Sequence, residues 1–272
     1  MDTRTLQIDG LRIAYRGSAG RGRGAILIHG NSSSGGTFRH QLEGELGTRY
    51  RLVALDLPGH GNSQWAADLA GYSVPGYARV VAGVAEQLGM EDAALVGWSL
   101  GGHVALEAHD RLPRARGFVI YGTPPLAFPP AMDQAFLPNP AFNFGFVAEV
   151  GEDEANAYAR SFVAPGSEAD LQSFVSDILR TDGNARVGLG ASIKPDGYQD
   201  EVQVVANLTR PLAVLHGEQE QLVSADYIRE LAMPSLWRGE IQVISGAGHA
   251  PHWEQPPAFD ALLDDFLSGL RS

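Results

Sequence analysis

The stretch Ala93-Ala94-Leu95-Val96-Gly97-Trp98-Ser99-Leu100-Gly101-Gly102-His103 constrains this chain more than any other. Ala93 to Val96 is an uninterrupted apolar run of strand length, and beyond Ser99 the apolar residues Val104, Ala105, Ala108 and Leu112 recur at helical spacing. Between them Gly97-Trp98-Ser99-Leu100-Gly101 spells G-x-S-x-G, whose glycines let strand and helix backbones approach without Cβ clashes. The pattern predicts a buried strand, a sharp turn and a helix, with Ser99 projecting from the tightest point. Five residues of this kind recur by chance, so it is the strand before and the helix after that make Ser99 a candidate nucleophile.

The rest of the chain supplies a matching frame. Leu6 to Ile8 and Leu11 to Tyr15, split by Asp9-Gly10, predict a hairpin at a sheet edge. Ala25 to Ile28, Arg51 to Leu57, Phe118 to Tyr121, Leu212 to Leu215 and Ile241 to Ile244 read as further strands, most of them continuous apolar runs buried on both faces. Helical spacing covers Tyr77 to Leu88, stopped by Gly89, and Phe259 to Leu270. Strands alternating with helices imply an α/β fold, a mostly parallel sheet covered on both faces. Between about Ala127 and Leu208 strand signals fade, prolines recur, and seven of the eleven phenylalanines collect (128, 136, 142, 144, 146, 162 and 174). This predicts a helical cap, 127–206, inserted into a core of 1–126 and 207–272. Such a cap packs onto the sheet and also favours an apolar pocket, and for any single phenylalanine both readings stand.

Composition removes several function classes. A net charge of −12, with nineteen scattered arginines and a single lysine, Lys194, argues against nucleic acid and anionic membrane surfaces. The absence of cysteine excludes disulfides, thiolate metal sites and a cysteine nucleophile. The N-terminus lacks the apolar core of a signal peptide, and no apolar run approaches the ~20 residues of a membrane span, so a cytoplasmic protein is expected. Neither H-x-H-x-D-H nor H-E-x-x-H occurs, and His249, His252 and Glu254 form no convincing ligand set, so neither metal nor cofactor is expected. Gly20-Arg21-Gly22-Arg23-Gly24 precedes a strand and lacks Lys-Ser/Thr, which makes it a turn and not a phosphate loop.

A serine needs a base to remove its proton, and the base needs an acid to hold its tautomer. Of eight histidines, His249 alone sits in a Gly-x-Gly-His turn, Gly246-Ala247-Gly248-His249, after the strand Ile241 to Ile244 and downstream of an acidic loop. His40 and His109 read as helical or surface residues, His29 and His60 as parts of Gly turns, His103 as part of the helix after Ser99, and His252 as a surface or pocket residue. The acid candidate is Glu220, at a G-x-x-E offset in Gly217-Glu218-Gln219-Glu220, with Glu218 and Asp226 as competitors. The backbone N–H groups of Leu100 and Asn31 are candidate donors to an oxyanion, Leu100 because it opens a helix directly after the serine. Asn31-Ser32-Ser33-Ser34 can equally cap the next helix.

Through His29-Gly30, Asp56-Leu57-Pro58-Gly59-His60-Gly61, Gly97 to Gly102 and Ala247-Gly248-His249 the chain resembles the α/β-hydrolase superfamily over its whole length. With serine and not aspartate at position 99, it does not resemble the dehalogenase and epoxide hydrolase branches, and the resemblance implies hydrolysis of an ester-type carbonyl. A narrower resemblance is to the metal-independent N-acyl-homoserine lactonases of this fold, bacterial quorum-quenching enzymes. It rests on His29 to Gly35, Gln41 to Glu45, Gly97 to His103, Gly122-Thr123-Pro124-Pro125, Tyr158-Ala159-Arg160-Ser161, Arg180-Thr181-Asp182-Gly183 and Ala247 to Pro251. It implies a glutamate acid at Glu220, an oxyanion asparagine at Asn31, a substrate-contacting tyrosine at Tyr158 and no cofactor. Trp98, next to the nucleophile, joins Asn31 and Tyr158 as a candidate substrate contact. The implied ligand is a small acyl lactone or ester. A carboxylesterase, a carbon–carbon bond hydrolase or a slow-turnover ligand receptor of the same fold remain alternatives, and the oligomeric state is open.

Overall fold

Asp9 and Gly10 both take positive φ, 50° and 81°, the type I′ geometry whose twist suits a two-residue hairpin. They join β1 (Arg4–Ile8) to β2 (Leu11–Gly17) in an antiparallel pair with Ile8 opposite Leu11. The computed structural model describes residues 2–194 and 196–270. β3 (Gly24–Ile28), β4 (Arg51–Leu55), β5 (Ala94–Trp98), β6 (Phe118–Tyr121), β7 (Leu212–Gly217) and β8 (Gln242–Ile244) complete one eight-stranded sheet in the order β1-β2-β4-β3-β5-β6-β7-β8. From β4 to β8 all pairings are parallel. This is the α/β-hydrolase fold.

The apolar runs of β3, β5 and β6 are buried along their length because helices cover both faces. Helix Val74–Leu88 starts three residues before the expected Tyr77. Ser73 caps it by accepting the Gly76 N–H, and Pro75 sits in the first turn, where its missing N–H has no helical partner to lose. The helix after Ser99 is Leu100–Glu107, shorter than the apolar spacing to Leu112 suggests, because the chain leaves helical pairing for turns at 108–111.

Between β6 and β7 the regular elements among the described residues are helices, and Phe136 makes an isolated bridge to Val223 beyond β7. The helices include Glu152–Arg160, Gln172–Arg180, Gly183–Ser192 and Glu201–Asn207, with a 3-10 segment at Pro140–Phe146. This segment lies across the C-terminal ends of the strands. Asn31 Nδ2 donates to the Gly145 carbonyl (2.6 Å), Ser34 Oγ to Asp177 (2.6 Å), and Ala250 N–H to the Phe162 carbonyl (2.7 Å). Arg186 is buried and spends its guanidinium on the carbonyls of Val147, Ala148 and Ile178, drawing three parts of the segment together.

The strand order places the site. After β3 the chain moves to β4 on one side and later to β5 on the other, so the loops after β3 and β5 diverge and leave a crevice at their C-terminal ends. Ile28 pairs with Gly97, which sets the loop bearing Asn31 against the turn bearing Ser99. Asp56, fully buried after β4, steadies that loop by accepting the Gly35 N–H (2.8 Å) while pairing with Arg16 (3.0 Å).

Candidate active site

Ser99 has φ 53° and ψ −120°, a conformation that costs a non-glycine residue ~1–3 kcal/mol. The surroundings hold it there. Its N–H donates to Tyr121 O (2.8 Å), and Thr123 Oγ1 donates to its carbonyl (2.8 Å). A Cβ on Gly97 would run into the backbone of Gly101 and Gly102, and one on Gly101 into the carbonyl of Ile28, so the turn closes only with glycine at both places. The side chain of Ser99 is delivered to a pocket under the inserted helices.

His249 Nδ1 lies 2.9 and 3.1 Å from the two oxygens of Glu220, and both side chains are about 3% exposed. A carboxylate only accepts, so Nδ1 carries the hydrogen and Nε2 is left as the ring nitrogen that can exchange a proton with a ligand or nucleophile. Burial pushes the Glu220 carboxyl upward, but the charge and hydrogen bond of His249 and the Leu222 N–H outweigh it and hold the group below the usual carboxylate range. The competitors are elsewhere. Glu218 accepts from Ser245 and Gly246, and Asp226 is almost fully exposed in an ion pair with Arg229. Glu254 is occupied by the N–H groups of Gly248 and Ala164.

Trp98 corrects an expectation. It is wholly buried and takes no part in the pocket wall, because successive side chains of a strand point to opposite sides and Ser99 takes the pocket side. Its Nε1 donates to the His249 carbonyl (2.8 Å), and its ring packs on Phe162, Phe174 and His252. It positions the histidine and not a ligand. His252 is likewise buried, with Nε2 2.8 Å from Thr37 Oγ1, and is not a surface residue.

Gly122 packs against the imidazole of His249. Its φ is 59°, and a Cβ there would come within 2.7 Å of His249 Cε1. Gly122→Ala is therefore expected to displace the ring and lower kcat about a hundredfold with the fold retained by circular dichroism. An unchanged kcat would mean that the ring can yield without loss of alignment.

The pocket is a narrow cavity of about 70 Å³ that opens at Ser99. Asn31, Ser99 and Tyr158 are among its polar groups; Met132, Phe136, Phe142, Phe146, Leu189 and Ile193 form much of its apolar wall. The phenylalanines thus divide, with 136, 142 and 146 facing the pocket and 162 and 174 packing beneath Trp98. Tyr158 Oη hydrogen-bonds to nothing among the described residues and lies against Gly145, and burial pushes its pKa upward, so it stays a donor. The N–H of Asn31 is also unused among the described residues, and that of Leu100, first in its helix, has no intrahelical partner. Ser34 meanwhile caps the segment Gly35–Phe38 by accepting the Gly36 N–H, so the capping expected of the polar loop is present. Sequence reading missed His103 and Glu201, which also line the pocket and meet across 98 positions, a separation that leaves no local signal.

A strained serine set at the switch point of a mostly parallel sheet, with a buried histidine–glutamate pair alongside, defines a hydrolase of the α/β kind. Residues 25–262 match the Alpha/beta hydrolase family, and the chain belongs to it. Among solved structures it is similar to the N-acyl homoserine lactonase AidH, determined in complex with N-hexanoyl homoserine lactone, with 38% identity, a TM-score of 0.94 and all of both chains covered. It is 30% identical over 269 residues to the dihydrolipoyllysine-residue acetyltransferase component of the acetoin cleaving system of Cupriavidus necator, covering 96% of this chain and 68% of that one. It is 28% identical to a pimeloyl-[acyl-carrier protein] methyl ester esterase of Stenotrophomonas maltophilia, covering 92% and 95%. Among the described residues no helix is long and apolar enough to cross a membrane.

Proposed function

We propose that this chain opens the lactone ring of N-acyl-homoserine lactones by serine catalysis. The reading is carried by the full-length likeness to a lactonase solved with such a ligand, and is supported by an apolar pocket that begins at Ser99. In it, Ser99 Oγ attacks the lactone carbonyl as His249 Nε2 takes its proton, and Glu220 steadies the imidazolium through Nδ1. The N–H groups of Leu100 and Asn31 receive the oxyanion, each worth about 3 kcal/mol in a site closed to water. The ring C–O bond then breaks, and the ring oxygen takes the proton from His249 while staying tethered to the acyl-enzyme. Water, deprotonated by His249, attacks the ester, Ser99 recovers its proton, and N-acyl-homoserine leaves. Tyr158 Oη and the Asn31 amide orient the substrate, and residues 127–206 act as a cap over the core of 1–126 and 207–272, holding the acyl chain.

The similarity to the Stenotrophomonas esterase favours a second reading, in which the same groups cleave a methyl ester and release methanol. Mass spectrometry of N-hexanoyl-homoserine lactone incubated with the protein separates the two. The lactonase reading expects one added water, reversed by acid and absent with Ser99→Ala. Free homoserine lactone with hexanoate would mean amide cleavage, and inert lactones alongside consumed methyl esters would favour the esterase. Each further CH₂ is worth up to ~0.8 kcal/mol, so kcat/KM is expected to climb with acyl length by up to about fourfold per carbon until the pocket fills. A flat profile from about four to about twelve carbons would remove the pocket from acyl recognition.

A further inference from the structure

His103 and Glu201 form a second histidine–carboxylate pair, set in the wall of the pocket and unused by the reaction above. His103 Nδ1 lies 2.8 and 2.9 Å from the two Glu201 oxygens, and the side chains are 14% and 1% exposed. Glu201 is itself pinned, with Oε2 accepting the Leu126 N–H (2.8 Å) and its own N–H donating to the Leu126 carbonyl (2.8 Å). Because the carboxylate only accepts, Nδ1 carries the hydrogen, and in the neutral tautomer Nε2 presents a lone pair. The ring's hydrogen bonds among the described residues are those of Nδ1 to Glu201. The nearby Tyr198 hydroxyl is already committed to the Ala127 carbonyl (3.1 Å), so it does not compete for a ligand as a donor.

The register along the helix says what such an acceptor would meet. His103 is the fourth residue of the helix that opens at Leu100, directly after Ser99, and both line the pocket, so a rise of about 1.5 Å per residue sets it about 5–6 Å along the axis from the nucleophile's turn. In an N-acyl-homoserine lactone the amide nitrogen is two bonds from the attacked carbon and falls short of that offset. A substituent at C3 of the acyl chain reaches it. We infer that His103 is a specificity-determining residue whose Nε2 accepts a hydrogen bond from a hydroxyl at C3, so that 3-hydroxyacyl chains are preferred over unsubstituted ones. The inference rests on the lactonase reading. A 3-oxo group only accepts and gains nothing from the neutral ring.

The test compares kcat/KM for N-(3-hydroxyhexanoyl)-, N-(3-oxohexanoyl)- and N-hexanoyl-homoserine lactone. The wild type is expected to favour the 3-hydroxy lactone over the unsubstituted one by about five- to tenfold, and His103→Phe to lose that ratio. Glu201→Gln gives a sharper readout. Its amide oxygen still takes the Leu126 N–H while its NH₂ donates to Nδ1, which moves the ring hydrogen to Nε2 and shifts the preference towards 3-oxo. A merely structural role for the pair predicts no such reversal. Equal turnover of all three lactones by the wild type, or an unchanged ratio in His103→Phe, overturns this inference and leaves the lactonase reading intact. If no lactone is opened, and none binds to Ser99→Ala by calorimetry, both fall.

Discussion

Replacing Ser99 by alanine is expected to lower kcat for lactone opening by about four to six orders of magnitude, and His249→Ala to lower it nearly as far. In the proposed mechanism the two residues act on one proton, so the double replacement is expected to cost little more than either alone. The remaining rate would come from the oxyanion donors and the pocket, which neither change touches. Alanine at 99 keeps the same hydrogen bonds from its backbone to Tyr121 and Thr123, so the turn and the melting temperature are expected to survive. Single-turnover rates for the three variants check this. Losses that multiply in the double variant would mean that His249 assists a different step, and a Ser99→Ala enzyme within tenfold of wild type would remove the nucleophile from position 99.

Acid is expected to destabilise the fold through its buried histidines, at a pH above the usual carboxylate range. His29 is fully buried and neutral by construction, with Nδ1 2.7 Å from the Gly30 carbonyl and Nε2 accepting the Leu57 N–H (2.9 Å). A second proton would destroy the latter bond, and burial holds the pKa down at about 4. His60, packed against it with ring centroids 5.1 Å apart, is held at about 3 by burial and by its neighbour. Burial also keeps His252 well below its ordinary value. The unfolded chain takes up these protons below about pH 6.5 and the native state does not, so the stability they confer is complete above that pH and lost as pH falls towards 4 and 3. From about pH 7 to about pH 5, His29 and His60 together account for roughly 4 kcal/mol of unfolding free energy. Asp260 opposes them. Burial raises it to about 6, so it takes up a proton in the native state over the same interval and returns about 1 kcal/mol once its partial exposure is discounted. Urea unfolding at several pH values across this range is expected to show a net loss of about 3 kcal/mol or more. A flat profile would mean that the buried histidines are reached by solvent.

Local order was legible wherever a signal sat within a few residues of its cause. The Asp9-Gly10 hairpin, the strands of the sheet and the turn around Ser99 follow from periodicity and from glycines whose backbones must approach another chain. Glu220 and His249 were legible as loop residues after late strands, because a parallel sheet brings every such loop to one edge. Their pairing was less so, since Glu218 stands only two positions away in sequence and points into a different set of hydrogen bonds.

By itself the sequence determined the α/β class, the strained serine turn, and the identities of the groups that can attack, accept a proton and hold a tautomer, because these depend on residue type and short-range spacing. Only the tertiary structure decided which side of the sheet edge each side chain serves. It turned Trp98 from the pocket into a brace for His249, split the phenylalanines between wall and core, chose Glu220 over Glu218, and joined His103 to Glu201 across 98 positions. Such contacts are made by strand order and by helices laid over the sheet, and nothing in the spacing of one chain segment records where another will come to rest.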